Sequence, residues 1–385
     1  MAIPLSASRV LIVDDNAFNR KSLALLIQRA GITQIDFAEN GVEGLRKVES
    51  FRPDLVLLDV SMPVMDGLEM CRLLRRTATH EELPVLFQTA LDSDEEQVRC
   101  FEAGGSDFIS KPIKPGECVA RVRHQLEKRT LFGELARFRA RVERELKHAR
   151  AMQLSLLPEA RRLAAVAERY GLLLDAHFET SSELGGDFWN VYPLDDQRVA
   201  FLMADFAGHG ITAAINTFRL HTLIDRFPMQ DAPPSEWLLR LNGALKDVLP
   251  LGQFATAFFG ILDLRTDTMT YAAAGAPNPV LGVAGSLRLL DSAGLVLGAS
   301  HRARYDDRSV RLPRGGFLFL YSDALIECHA EDQRPIGQAA VPAMVRAALA
   351  AEPARPLRPL LEEFYRRTTQ PLRDDLTAVW IARRR

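Results

Sequence analysis

Cysteine is scarce: four of 385 residues. Cys71, Cys100, Cys118 and Cys328 form no C-x-x-C pair and have no histidine at zinc-ligand spacing, which excludes a disulfide-stapled fold and a thiolate zinc site. They are expected to be reduced, mostly packed thiols. No apolar run approaches the roughly 18 residues that a membrane-spanning helix needs, and the first residues lack the basic and apolar regions of a signal peptide. A charge excess is missing too: 48 Lys and Arg stand against 50 Asp and Glu, for a formal net charge of -2. Nucleic acid and anionic membranes are therefore not expected partners. The expectation is a cytoplasmic protein in which Arg383, Arg384 and Arg385 form a solvated tail.

What is present is ordinary globular composition, 47% hydrophobic and 25% charged, over a length that allows two or three domains. From Arg9 to about Lys128, the apolar runs "RVLIVDD", "IDFAE", "DLVLLDV", "PVLFQTA" and "DFISK" alternate with amphipathic stretches such as "NRKSLALLIQRAG". Five strands alternating with helices predict a doubly wound parallel sheet covered on both faces. Ligands of such sheets gather at the carboxyl ends of the strands, where this sequence places Asp14, Asp15, Asp59, Thr89 and Lys111. Three crowded carboxylates stay ionised only around a cation, and oxygen donors suit magnesium. With a hydroxyl and an ammonium beside them, the chemistry suggested is formation of an acyl phosphate.

This segment resembles the response-regulator receiver domain. The resemblance implies that a sensor histidine kinase phosphorylates Asp59, and that Asp14, Asp15, Asp59 and the backbone carbonyl of Ser61 hold Mg2+. It also implies a hydroxyl and aromatic switch pair, Thr89 and Phe108, and a conformational lysine, Lys111, before Pro112. The receiver domain is assigned to residues 1–128.

Residues 129–160 are read as a helical connector. Leu131, Leu135, Phe138 and Val142 keep a 4-3-4 spacing, and Leu146 and Ala149 follow after an added step of four, like a coiled-coil stutter. A helix continuing from the receiver, and a homodimer formed through it, are expected; a single amphipathic helix packed on its own protein is the other reading.

In residues 161–385 strands come in clusters: "LLLDAHFETS", "RVAFLMADF", "FATAFFGILDL", "TMTYAAAG", "GFLFLYSDA" and "DLTAVWIA". Helical patterns fill "ITAAINTFRLHTLIDRF", "PSEWLLRLNGALKDVL" and the stretch between Gly337 and Thr369, so a layered α+β domain is expected. "MADFAGHGITAA" by itself is open to four readings: a phosphate cradle, a nucleophile turn, a metal site or a tight corner. Its Asp205 is one of several acids at strand edges, with Asp187 in "ELGGDFW", Asp323 in "FLYSDALIE", and Asp374 and Asp375 in "RDDLTAVW". Carboxylates brought from such distant points cluster only around cations, and two cations sharing one carboxylate can activate water against a phosphate monoester.

In order, these motifs resemble the metal-dependent serine/threonine protein phosphatase (PPM) family, and within it the bacterial phosphatases of stress and sporulation pathways, an α-β-β-α sandwich. The resemblance implies two Mn2+ or Mg2+ ions bridged by Asp205, with Asp187, Asp323, Asp374 and the backbone carbonyl of Phe206 as further ligands. Asp375 is an auxiliary residue, and Gly208, His209 and Gly210 shape the turn, His209 holding the bend rather than donating a proton to the leaving oxygen. The implied substrate is a phosphorylated anti-sigma-factor antagonist. Three positions depart from the family pattern: Ala324 after Asp323, Asn190 in place of a second acid, and Ala276 in place of a histidine. Ala324 strains its loop if a positive φ is needed there. Two rivals are weighed. "LGGDFW" looks superficially like the G-G-D-E-F signature of nucleotide cyclases but lacks its acidic and aromatic pair; a non-catalytic adaptor binding a sigma factor or anti-sigma protein is the stronger alternative.

Overall fold

The computed structural model describes residues 5–90, 94–208, 210–328, 335–368 and 371–384. The chain divides into two compact units, Met1–Glu143 and Arg144–Arg385.

The first unit alternates β1 (Arg9–Val13), α1 (Ala17–Arg29), β2 (Gln34–Ala38), α2 (Gly41–Phe51), β3 (Leu55–Asp59), α3 (Gly67–Leu74), β4 (Val85–Ala90), α4 (Asp94–Glu102), β5 (Asp107–Lys111) and α5 (Pro115–Leu154). Every pairing is parallel, in the order β2-β1-β3-β4-β5. One face of the sheet packs on α1 and α5 through Leu23, Ile27, Cys118 and Val122. The other packs on α3 and α4 through Leu68, Met70, Cys71 and Cys100. Helix starts are specified locally: Asn16, Asn40 and Asp66 each accept a backbone N–H from the first turn of α1, α2 and α3. The helix α5 runs 40 residues without a break and continues beyond the first unit.

The second unit adds α6 (Ala160–Arg169), β6 (Leu172–Glu179), β7 (Asp187–Pro193), β8 (Arg198–Phe206), α7 (Ile211–Ile224), α8 (Pro234–Val248), β9 (Ala255–Asp263), β10 (Thr268–Ala274), β11 (Val280–Val283), β12 (Ser286–Leu289), β13 (Arg308–Arg311), β14 (Phe317–Tyr321), α9 (Ala324–Glu327), α10 (Val341–Ala351), α11 (Leu357–Arg367) and β15 (Leu376–Arg383). Two five-stranded antiparallel sheets form, β13-β10-β9-β8-β7 and β12-β11-β14-β15-β6. Trp189, Phe201, Phe258, Leu320 and Ile381 fill the space between them. Helices α7 and α8 cover the outer face of one sheet through Leu220, Trp237 and Leu241, and α10 and α11 cover the other through Val345, Leu360 and Phe364. The four layers follow from strands that are apolar on both faces and therefore need cover on both.

Periodicity did not reveal β7. Its first five residues, Asp187 to Val191, are all buried, so the alternation that marks a half-buried strand is absent, and two of the five are polar. Arg383 corrects the expected solvated tail. It closes β15 only 7% exposed, pairs with Asp267 and donates to the Leu312 carbonyl at 3.0 Å. Arg384 is exposed, and its N–H donates to the Gly171 carbonyl; Arg385 lies outside the described residues. Cys71, Cys100 and Cys118 are buried free thiols and Cys328 is half-buried.

Candidate functional sites

At the carboxyl end of the parallel sheet, ligand atoms of Asp14, Asp15 and Asp59 lie within 4.8 Å of one another. Asp14 follows β1 and is fully buried, Asp59 ends β3, and Asp15 is exposed. Lys111 ends β5, with its Nζ 2.8 Å from Asp59 Oδ1 and 3.7 Å from Asp14 Oδ2. Burial pushes the Asp59 carboxyl above its ordinary range; Lys111 opposes this by hydrogen bond and charge, and Asp14 adds to the rise. The chain passes Ser61 and turns back so closely that a Cβ on Gly67 would lie 2.0 Å from the Asp59 carbonyl oxygen.

The two residues of the expected switch pair are held differently. Thr89, buried on β4, donates to Glu96 of α4 at 2.8 Å. Phe108 on β5 lies edge-on to Phe101 of α4 and beneath the Arg121 guanidinium of α5, 5.3 Å from its ring centre. Sequence spacing did not mark Glu96 or Arg121, because a charged residue on an amphipathic helix usually belongs to its solvated face.

The second unit gathers acids from four chain segments. Asp187 opens β7 and Asp205 lies near the end of β8, and antiparallel pairing sets them directly opposite each other. Asp323 follows β14 and Asp374 precedes β15 by two residues. Burial pushes the Asp205 carboxyl well up, and the charges of Asp187, Asp323 and Asp374 push it further. Asp187 is raised likewise, first by burial and then by Asp375 and Asp323, while the nearby Thr377 and Ser322 hydroxyls oppose the rise. Asp323 is pushed up to about 6 by burial, Asp374 and Glu327. Both oxygens of Asp187 and Oδ1 of Asp323 are buried without a hydrogen-bond partner among the described residues. Buried oxygens of this kind, crowded by like charge, fit a set of hard divalent cations as counter-charge.

The neighbouring acids Asp374 and Asp375 have different surroundings. Asp375 Oδ1 accepts from the Ser181 N–H at 2.7 Å and its hydroxyl at 3.1 Å, and Oδ2 accepts from the Gly186 N–H at 2.6 Å. Asp375 thus ties down the loop that leads into β7. Gly186 fits there for want of a side chain, since a Cβ would lie 2.7 Å from the Phe206 carbonyl oxygen. Phe206 itself anchors in the core beneath α7 and α8, leaving its backbone at the acidic end of β8. Gly208 and Gly210 take φ of 91° and 78°, which L side chains rarely adopt, and α7 starts at the next residue. His209 lies outside the described residues.

The departures from the family pattern are accommodated. Asp323 has right-handed helical dihedrals and Ala324 begins α9, so the positive φ that alanine would resist is not required. Asn190 is buried and donates to the Leu156 carbonyl at 3.3 Å. Ala276 borders a narrow recess beside Asp205, with Thr256 and Ser322.

Comparison with known proteins agrees with this division. Residues 10–123 match the response regulator receiver domain family, and residues 195–384 match the family described as Stage II sporulation protein E (SpoIIE). Over 123 residues the chain is 43% identical to response regulator MprA of Mycobacterium ulcerans, a match covering 32% of this chain and 52% of that protein. The chain thus spans about half the length of the curated relatives it matches. Among solved structures, the SiaA-PP2C domain of Pseudomonas aeruginosa shares the fold with a TM-score of 0.58 at 21% identity, covering 65% of this chain and 99% of that one. The RsbU and RsbW domains of Rv1364c from Mycobacterium tuberculosis are 27% identical with a TM-score of 0.49, covering 56% and 60%. The chain therefore joins a response-regulator receiver domain to a domain of the SpoIIE family with a PP2C-like fold.

Proposed function

We propose that the second unit is a metal-dependent phosphoserine/phosphothreonine protein phosphatase controlled by phosphorylation of Asp59 in the first. The observation that carries this reading is the facing pair Asp187 and Asp205, each raised first by burial and then by the charge of other acids of the cluster, with both Asp187 oxygens unpartnered among the described residues. A purely structural pair of that kind opposes folding, whereas a pair that shares cations does not. Asp187, Asp205, Asp323, Asp374 and the Phe206 carbonyl would hold two Mn2+ or Mg2+ ions. When bound, these supply Lewis-acid charge for a phosphate monoester and lower the pKa of water. The chain's own part is to hold the acids in register.

In the receiver, Asp14, Asp15, Asp59 and the Ser61 carbonyl would hold Mg2+. Asp59 supplies the nucleophilic oxygen, and Lys111, already 2.8 Å away, steadies the transferred phosphoryl oxygens. A sensor histidine kinase is the phosphodonor. The change of state passes along α5, whose exposed Leu131, Leu135 and Phe138 suit pairing with a second copy. The substrate is read, from the resemblance to stress and sporulation phosphatases, as a phosphorylated anti-sigma-factor antagonist, acted on in the cytoplasm.

Hydrolysis of an aryl phosphate by the purified chain with Mn2+ tests the reading. Asp205→Ala and Asp323→Ala are expected to lose at least a hundredfold. Metal-independent turnover, or none in the parent even after acetyl phosphate treatment, overturns it and favours the adaptor alternative. Acetyl phosphate is expected to label the parent and not Asp59→Asn; labelling that survives the substitution shows another phosphoacceptor.

A further inference from the structure

The loop between β6 and β7 brings Asp187 to its place, and it is gripped from two sides. From one side Asp375 accepts the Ser181 and Gly186 amides. From the other comes Gln153, on the last turn of α5, between the exposed side chains of Met152 and Leu154. Gln153 turns inward and is only 3% exposed. Its Nε2 donates to the Gly185 carbonyl at 2.5 Å, and its Oε1 accepts the Gly185 N–H at 3.1 Å. The same Nε2 lies 3.3 Å from the hydroxyl of Thr217 on α7, the helix that leaves the Gly208–Gly210 corner. One amide thus spans the segments flanking Asp187 and Asp205.

We propose that Gln153 is a positioning residue of the carboxylate centre: by holding both backbone polar groups of Gly185, two residues before Asp187, it fixes where the Asp187 carboxylate stands. The inference rests on the phosphatase reading for its function and on the hydrogen bonds for its geometry. Gly185 is confined on its other side as well, where a Cβ would lie 2.5 Å from Asp375 Oδ2, so its peptide can be held in place only by groups that reach its backbone. Its N–H and carbonyl are enclosed, and without the amide both lose their partners. The loop then samples other arrangements, and an acid that must stand opposite Asp205 to share a cation spends less time there. Removal of an outer-shell partner of this kind typically lowers metal affinity by 10- to 100-fold.

The test uses the full chain carrying Gln153→Met, which preserves length and removes both hydrogen bonds, and Gln153→Glu, which keeps an acceptor for the Gly185 N–H but no donor. Calorimetric titration with Mn2+ alone is compared with Asp205→Ala, and the binding lost in that variant is assigned to the phosphatase unit. Hydrogen exchange is followed at the Gly185, Gly186 and Asp187 amides. Gln153→Met is expected to weaken the Asp205-dependent binding about tenfold or more and to speed exchange at those amides, and Gln153→Glu to do so less. Parent-like affinity and exchange in a folded Gln153→Met overturn the proposal. If Gln153→Met fails to fold, exchange in Gln153→Glu decides: faster exchange confined to the loop supports the clamp, and unchanged exchange overturns it. A parent without Mn2+-dependent hydrolysis removes the phosphatase reading, whereas the exchange result still decides whether Gln153 holds the loop.

Discussion

A carboxylate that is enclosed, lacks a hydrogen-bond partner and faces another carboxylate favours the unfolded chain unless a cation accompanies it; Asp187 is buried, faces Asp205 and has no side-chain hydrogen-bond partner among the described residues. Asp187→Asn is accordingly expected to raise the melting temperature of the metal-free protein by several degrees while lowering Mn2+-dependent hydrolysis at least a hundredfold. Thermal unfolding in chelator and an aryl phosphate assay check the two halves. The same crowding sets a pH dependence. Burial, with Asp374 and Glu327 beside it, pushes Asp323 up to about 6 in the fold against an ordinary 3.8, so the folded protein binds that proton more tightly than the unfolded chain does. Its contribution to metal-free stability is therefore fully present below the unfolded value and is lost as pH rises through about 6. Cations need the ionised form, so Mn2+ is expected to raise the melting temperature much more at about pH 7.5 than at about pH 5. Equal increments at the two values contradict the role given to Asp323.

The acidic site depends on how elements approach one another. Strands β7 and β8 pair so that Asp187 meets Asp205, and the glycine before β7 lets its backbone lie against the Phe206 carbonyl. Gly186→Ala puts a methyl group 2.7 Å from that backbone oxygen, where no flexible side chain can give way. A loss of about 1–3 kcal/mol of stability is expected, with hydrolysis falling further than stability alone explains, because β7 must shift and carry Asp187 with it. Denaturant titration beside a Mn2+ activity assay checks this, and a parent-like variant removes the close approach as a constraint. Helix α9 makes the complementary point: with Ala324 in its first turn, Asp323 needs no glycine after it.

For the molecule as a whole, α5 is the feature that two separate domains would not require, since it starts inside the receiver and its last turn carries Gln153, bonded to Gly185 in the loop before β7. Its Leu131, Leu135 and Phe138 keep coiled-coil spacing and are more than half exposed. The full chain is expected to sediment as a dimer, and Leu135→Lys combined with Phe138→Lys as a monomer; a monomeric parent removes the pairing. If α5 carries the change of state, acetyl phosphate alters the hydrolysis rate of the parent and leaves that of Asp59→Asn unchanged. An equal change in both places the control elsewhere.

The sequence by itself determined the parallel sheet and the acids at its strand ends, because buried parallel strands must be apolar runs and Asp14, Asp59 and Lys111 stand where three of those runs stop. It also carried most strands of the second unit, β8 and β14 among them, since their residues favour extended structure locally. It did not reveal β7, where burial on both faces erased alternation, nor Gln153, since a glutamine on a charged helix looks like any solvated residue. Asp374 and Asp375 are adjacent and chemically identical, and no spacing rule separates the one beside Asp205 from the one that accepts the Ser181 and Gly186 amides. The resemblance named Asp374 as the ligand, and the tertiary structure adds that Asp375 accepts the Ser181 and Gly186 amides, for a physical reason. Which distant amides and which other charges a carboxylate meets depends on loops far away in the chain, and a local pattern contains no record of what will be folded against it.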